Sequence, residues 1–277
     1  MTTPPLLTDR PALDRQRLRA RARGLDAFLQ EEAVADLQER LIEVNRTFTS
    51  PALIAAFPEI WTPVLPDAKI VPDAEVLDLE EGAHDLVVHA FALHWANDPV
   101  GQIVQAMRAL KPDGLFIGIL FGGQTLHELR AALAEAEAAV TGGLSPRVVP
   151  MGEVRDLGAL LQRVGLALPV ADSVTRDVAY TNPMRLFADL RAMGETNALA
   201  GRRRHFTRRA VLMRALDIYL AHYADAEGRI HATFETIWLT GWTPHESQQQ
   251  PLRPGSARRR LADALGTFEL PTGEKPV

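Results

Sequence analysis

One stretch, His84 to Arg130 (HDLVVHAFALHWANDPVGQIVQAMRALKPDGLFIGILFGGQTLHELR), limits the possible fold more than any other part of this chain. It reads as strand, loop, helix, turn, strand. Leu86, Val87 and Val88 form a near-continuous apolar run, the pattern of a central strand covered on both faces. Asp98-Pro99 opens a helix, with Asp at the cap and Pro at the first helical position. Ile103, Val104, Met107 and Leu110 supply its buried stripe. Lys111-Pro112-Asp113-Gly114 predicts a tight turn in which glycine takes the positive φ, and LFIGILF is the next buried strand. Strand, helix and strand in this order make a right-handed parallel crossover.

The flanking segments predict more helices on a sheet. Asp9 to Asn45 is helical in pattern. Leu25, Phe28, Leu29, Val34, Leu37, Leu41, Ile42 and Val44 fall mostly at three- and four-residue intervals. Before it, Arg15, Arg17, Arg19, Arg21 and Arg23 alternate with other residues, a pattern of a solvated face or of a docking surface for an acidic partner. Between Ser50 and Asp85 the chain is short of space. Pro58, Pro63 and Pro66 break any long helix, AKIV and EVLDL are brief candidate strands or turns, and a full strand–turn–helix–strand unit does not fit before Asp73. Downstream, helices are expected over Gln124 to Thr141 and VRDLGALLQRVGL, and a strand over LPVADSVTRDVAYT. Pro183 to Ala224 reads as helical, carrying the basic cluster Arg202, Arg203, Arg204, His205, Arg208 and Arg209. ATFETIWLTGW is the last strand. Three regions result: a helical segment (1–48), an α/β domain with a helical insertion near 183–224 (49–247), and a polar tail (248–277).

Composition removes several function classes. The chain has 277 residues, no cysteine and a formal net charge of −5. That excludes disulfides, thiolate metal sites and cysteine nucleophiles, and argues against a general nucleic-acid binder. No apolar run reaches the roughly 20 residues needed to span a bilayer. The N-terminus lacks a signal-peptide core, so the default expectation is cytoplasmic. His84, His89 and His94 do not match a compact zinc pattern, and no nucleophile elbow or phosphate loop is present.

Several long segments carry a family resemblance: RLIEVNRTF, HDLVVHAFALHWAND, LKPDGLF, FGGQTLHELR, GGLSPRVVPMGEVRDLGALLQRVG, DLRAMGETNAL and LTGWTPHESQQQPLRPGSA. Together they resemble the methyltransferase-like assembly factors of respiratory complex I. That family is more distantly similar to the malonyl-carrier-protein methyltransferases of biotin synthesis. The resemblance implies a Rossmann-like class I S-adenosylmethionine (SAM) methyltransferase fold, shortened in its first half and carrying helical additions. It implies SAM as the cofactor and a subunit of the respiratory NADH dehydrogenase as the partner. By the same resemblance Asp73 matches the acidic position on the adenine side, while Val88 and His89 match the edge of the methyl-donor pocket.

One family feature is missing. Class I methyltransferases carry a glycine-rich turn after the first strand, where the backbone approaches the cofactor closely. Here no glycine occurs between Asn45 and Gly82. Structural readings stand beside the functional ones: Asp73 as a turn residue, His89, His94 and Trp95 as core, Asp98 as a helix cap. No catalytic residue and no metal ligand is assigned. The sequence favours a non-catalytic assembly relative. An active SAM-dependent methyltransferase with an atypical site is the alternative, and arginine hydroxylation is a third reading. The arginine clusters and the tail are the expected partner surfaces.

Overall fold

The computed structural model of this chain describes residues 6–249 and the separate positions Asp263, Gly266 and Thr267. The tail expected from residue 248 therefore falls almost wholly outside the described residues. The chain divides into a body, residues 1–244, and a C-terminal piece, residues 245–277. The described part of that piece includes a turn in which His245 Nδ1 lies 2.8 Å from Ser247 Oγ.

The N-terminal helical segment is two helices. α1 (Arg10–Ala22) starts at Asp9, whose carboxylate accepts from Ala12 N at 3.1 Å, with Pro11 in the first turn where its missing N–H costs nothing. α2 (Phe28–Val44) stops at Asn45, a left-handed residue with φ 51°. Leu29, Ala33 and Leu37 point inward as the stripe requires, but Ile42 is 68% exposed and leaves it.

The crowded segment after Asn45 holds more than the sequence allowed for. PALIA forms β1 (Pro51–Ala55), completely buried, and AKIV contributes β2 (Lys69–Val71). The crossover between them is a single helical turn, α3 (Pro58–Trp61), which is how two parallel strands fit before Asp73. EVLDL forms no strand.

The central unit follows the sequence closely. It comprises β3 (His84–Ala90), a 3₁₀ turn at Leu93–Trp95, α4 (Pro99–Ala109) and β4 (Leu110–Phe121). Asp98 caps α4 by accepting from Gly101 N at 2.8 Å. The turn expected over Lys111–Gly114 is instead an irregular stretch inside β4, where the register with β3 shifts between His84–Leu110 and Leu86–Leu115. Asp113 takes the positive φ, 59°, and not Gly114. Glycine is needed at 114 because a Cβ there would stand 2.9 Å from the Lys111 carbonyl oxygen. The buried face of α4 is Gln102, Ile103, Ala106 and Ala109, rotated toward a polar residue that periodicity leaves out.

The remaining elements are α5 (His127–Thr141), α6 (Val154–Val164), β5 (Ala167–Tyr180), α7 (Pro183–Ala192), α8 (Arg209–Tyr223) and β6 (Ile230–Trp242). The expected helix over Pro183 to Ala224 is thus interrupted, and the basic cluster begins in the non-helical connection between α7 and α8.

The six strands form one sheet in the order β2-β1-β3-β4-β6-β5. β2, β1, β3 and β4 are parallel, and β6 runs antiparallel to both β4 and β5. Alternate residues of the strands feed two cores. Leu53, Val88, Ile117 and Trp238 pack with residues of α2, α5, α7 and α8. Ile54, Val87, Phe116 and Leu239 pack with α4 and α6 on the other face. This is the expected Rossmann-like doubly wound α/β fold, and the fully apolar run of β3 reflects cover on both sides.

Candidate functional site

In a doubly wound sheet, ligands bind beyond the carboxyl ends of the strands, where the strand order reverses. Here the reversal lies at β1, which is flanked by β2 on one side and β3 on the other. The register pairs Ile54 with Val71 and Ala55 with Ala90, so the three carboxyl ends finish together. Phe57, Asp73 and Phe91 follow these ends.

Asp73 is 6% exposed. Both of its carboxylate oxygens accept from Arg17 Nη1, at 2.9 and 2.8 Å. Arg10 Nη1 adds a contact to Oδ2 at 3.3 Å, and Arg10 Nη2 donates to the Asp73 carbonyl oxygen. Burial pushes this carboxyl upward, but the two guanidiniums outweigh it and hold Asp73 below the ordinary carboxylate range. Both arginines belong to α1. The alternating arginines of that helix are therefore not one solvated face: Arg17 is buried, and Arg21 reaches Glu59 at 3.1 Å and lies over the Phe57 ring at 5.0 Å.

The turn after β1 explains its lack of glycine. Among the described residues no positive φ occurs between Asn45 and Gly82, so ordinary residues trace this turn without strain. Phe57 is only 1% exposed there. It packs so closely against the α7 exit that a Cβ on Gly194 would lie 3.3 Å from its ring and 3.4 Å from Arg17 Cα. Gly194 itself has φ 77°.

His89 is fully buried and its Nε2 is 2.7 Å from Gln102 Oε1, while Gln102 Nε2 donates to the Ala74 carbonyl oxygen at 2.8 Å. The Gln102 amide thus presents its oxygen to the ring, which places the ring proton on Nε2. Burial lowers the His89 pKa to about 4, against the Gln102 hydrogen bond and the Asp73 charge, which favour protonation. Val88 lies wholly in the core among its strand neighbours Leu53 and Ile117. Trp95 Nε1 donates to Glu195 Oε2 at 2.7 Å, and His94 Nε2 lies 3.3 Å from the same oxygen. Asp73, His89, His94 and Arg17 form one buried polar group beneath α1. Arg17 Nε and Nη2 and the Nδ1 atoms of both histidines have no hydrogen-bond partner in it.

A separate apolar cavity of about 180 Å³ opens beyond β4 and β6. Phe121, Leu129, Met151, Phe187 and Phe234 form much of its wall, with Arg147, Arg191, Glu195 and Thr196 among its polar lining. Sequence reasoning missed it, because its wall is drawn from elements far apart in the chain. Among the described residues no group of three histidine and acidic side chains is placed to hold a metal ion. No helix among them is long and apolar enough to cross a membrane.

Residues 20–118 match the methyltransferase domain family. The chain is 36% identical over 220 residues to the zebrafish (Danio rerio) protein named arginine-hydroxylase NDUFAF5, mitochondrial, covering 79% of this chain and 68% of that one. It is 38% identical over 213 residues to the human protein of the same name, covering 76% of this chain and 61% of the relative. A malonyl-[acyl-carrier protein] O-methyltransferase of Laribacter hongkongensis is 32% identical over 203 residues, covering 73% of this chain and 63% of that enzyme. The matched region is thus roughly two thirds of each relative. These names correct the cytoplasmic expectation: the animal relatives are mitochondrial proteins.

Proposed function

The chain belongs to the family of the arginine-hydroxylase NDUFAF5 proteins, and from that premise we propose that it serves as a binding partner in the assembly of respiratory complex I, not as a SAM-turnover enzyme. The observation that carries this reading is the buried bridge from Arg17 and Arg10 to Asp73. Asp73 stands just beyond β2, at the acidic position that the family resemblance assigns to the adenine side of the cofactor. In this chain that acid is engaged by the chain's own first helix. Phe57 fills the turn after β1, where SAM-binding relatives need glycine so that the backbone can come close. The side chains present at this end of the sheet do not fit SAM in this arrangement.

What remains at the switch point is neutral or internally paired. His89, with a pKa near 4, stays uncharged at neutral pH and is tied to Gln102. Such a site has a structural use: it anchors α1, and with it the connection that bears the basic cluster. Arg202 and Arg204 both reach Asp9, at 2.9 and 3.1 Å, while Arg203, Arg208 and Arg209 are exposed. We assign the partner surface to this connection, facing an acidic segment of a respiratory NADH dehydrogenase subunit.

Calorimetric titration tests the reading directly. Wild-type protein should give no saturable heat with SAM or S-adenosylhomocysteine, and affinity capture from the native cell should recover NADH dehydrogenase subunits. Saturable SAM binding that disappears in Asp73→Ala would sink the proposal in favour of an active methyltransferase with an atypical site.

A further inference from the structure

We propose that the cavity beyond β4 and β6 is a binding site for a free apolar amino acid, held as its zwitterion. Size sets the first limit. At about 180 Å³ the cavity is below the roughly 300–1,000 Å³ of drug-sized pockets, and slightly above the ~150 Å³ that suffices for benzene in an engineered apolar cavity. Its wall of Phe121, Leu129, Met151, Phe187 and Phe234 offers an apolar group no hydrogen bond to break. A leucine or phenylalanine side chain has the matching volume and polarity.

The head group follows from which polar lining residues still have capacity. Arg147 is spent: it donates to Glu137 Oε1 at 2.9 Å and Oε2 at 3.1 Å, and to Thr207 Oγ1 at 3.0 Å. Asn197 is spent on the Pro146 carbonyl oxygen and on Leu199 N. Arg191 is different. Its Nη1 donates to the Phe187 carbonyl oxygen at 3.1 Å, and among the described residues no carboxylate pairs with it. Glu195 uses Oε2 for Trp95 and His94, leaving Oε1 without a described hydrogen bond. Thr196 Oγ1 is buried with no partner at all, and buried hydroxyls are seldom left so. The unspent groups are therefore one cation in the last turn of α7 and, on the chain leaving that helix, one anion and one hydroxyl, all lining the same cavity. A carboxylate alone would meet Glu195, and an amine alone would meet Arg191. A group carrying both charges answers both, with the ammonium toward Glu195 Oε1 and the carboxylate toward Arg191 and Thr196.

Calorimetry or ligand-observed NMR on the full chain provides the test, with four probes: L-phenylalanine, L-leucine, 3-phenylpropanoate and 2-phenylethylamine. One or both amino acids should saturate the site. The two truncated probes should each bind at least about tenfold more weakly, the ratio expected for losing a charge-assisted hydrogen bond. Arg191→Ala should weaken the amino acid about tenfold, while 2-phenylethylamine, relieved of a like charge, should bind no more weakly than before. Thr196→Val, an isosteric change, should weaken the amino acid without altering the far-ultraviolet circular dichroism. The proposal fails if folded wild-type protein binds neither amino acid. It fails equally if either truncated probe binds as tightly as its parent, which would make the site one for a simple acid, amine or hydrocarbon. SAM is not involved in any of these measurements, so the outcome is independent of the assembly reading.

Discussion

His89 and Asp73 show how far a residue's identity falls short of its role. Both were legible as site candidates, but nothing in the sequence says that a helix more than fifty positions upstream closes over them. Paired inside a nearly dry site, the Arg17–Asp73 bridge costs desolvation on both sides, so its value lies in neither ion being left alone. Arg17→Met should therefore destabilise the protein by about 3–5 kcal/mol in urea unfolding, whereas Arg17→Met combined with Asp73→Leu should recover much of that loss. A double variant no more stable than the single one would show that the bridge is not the energetic unit. His89 gives a pH signature. Its folded pKa, about 4, lies below the ordinary histidine value of 6.5, so the unfolded chain takes up a proton first as pH falls. Stability contributed by neutral His89 is complete above pH 6.5 and is lost progressively down to about pH 4, by about 3 kcal/mol in all. Denaturant titrations across this window should show that decline, and His89→Gln should flatten it. An equal slope in the variant would assign the effect to other groups.

At the scale of elements, the sequence was most readable where local chemistry and tertiary need coincide. Asp98-Pro99 caps α4 in sequence and in structure, because a helix start needs its cap whatever it packs against. β3 and β4 were visible for the same reason: two covered faces demand an unbroken apolar run. β1 was missed because five apolar residues ahead of a proline-rich stretch fit a short helix as well as a strand, and only pairing with β3 decides between them. The buried face of α4 was misjudged at Gln102, which turns inward for His89, a partner outside the helix. Close approaches between elements were equally hidden. A Cβ on Gly122 would lie 2.4 Å from Glu235 Oε2 and 2.7 Å from Ile237 Cδ1. Gly122→Ala should accordingly displace the packed Glu235 and Ile237 side chains, with the hydrogen bond that Glu235 accepts from Gln124 N, and destabilise the fold by about 1–3 kcal/mol. Gly142, with open space around a Cβ but φ 70°, should lose only about 1 kcal/mol as Ala, from backbone strain. Thermal unfolding of the two variants should rank them in that order.

Across the whole molecule, α1 joins parts that are distant in sequence. It bridges to Asp73 and Glu59 through its arginines, while Asp9 at its start receives Arg202 and Arg204. Leu13, Trp95, Val149 and Leu199 add a small apolar cluster beneath it. A chain shortened to begin at Leu25 should keep its sheet but lose hydrogen-exchange protection at Phe91 N and Trp95 N near the carboxyl ends. Unchanged protection there would remove α1 from its anchoring role. The sequence alone determined the class of fold, the central crossover and the family, since apolar patterning, caps and long shared segments are local properties. The tertiary structure decided the state of the switch point and the existence of the amino-acid-sized cavity. A carboxylate is a ligand or a sealed anchor according to which charge the fold brings to it, and that distance is written nowhere in the order of residues.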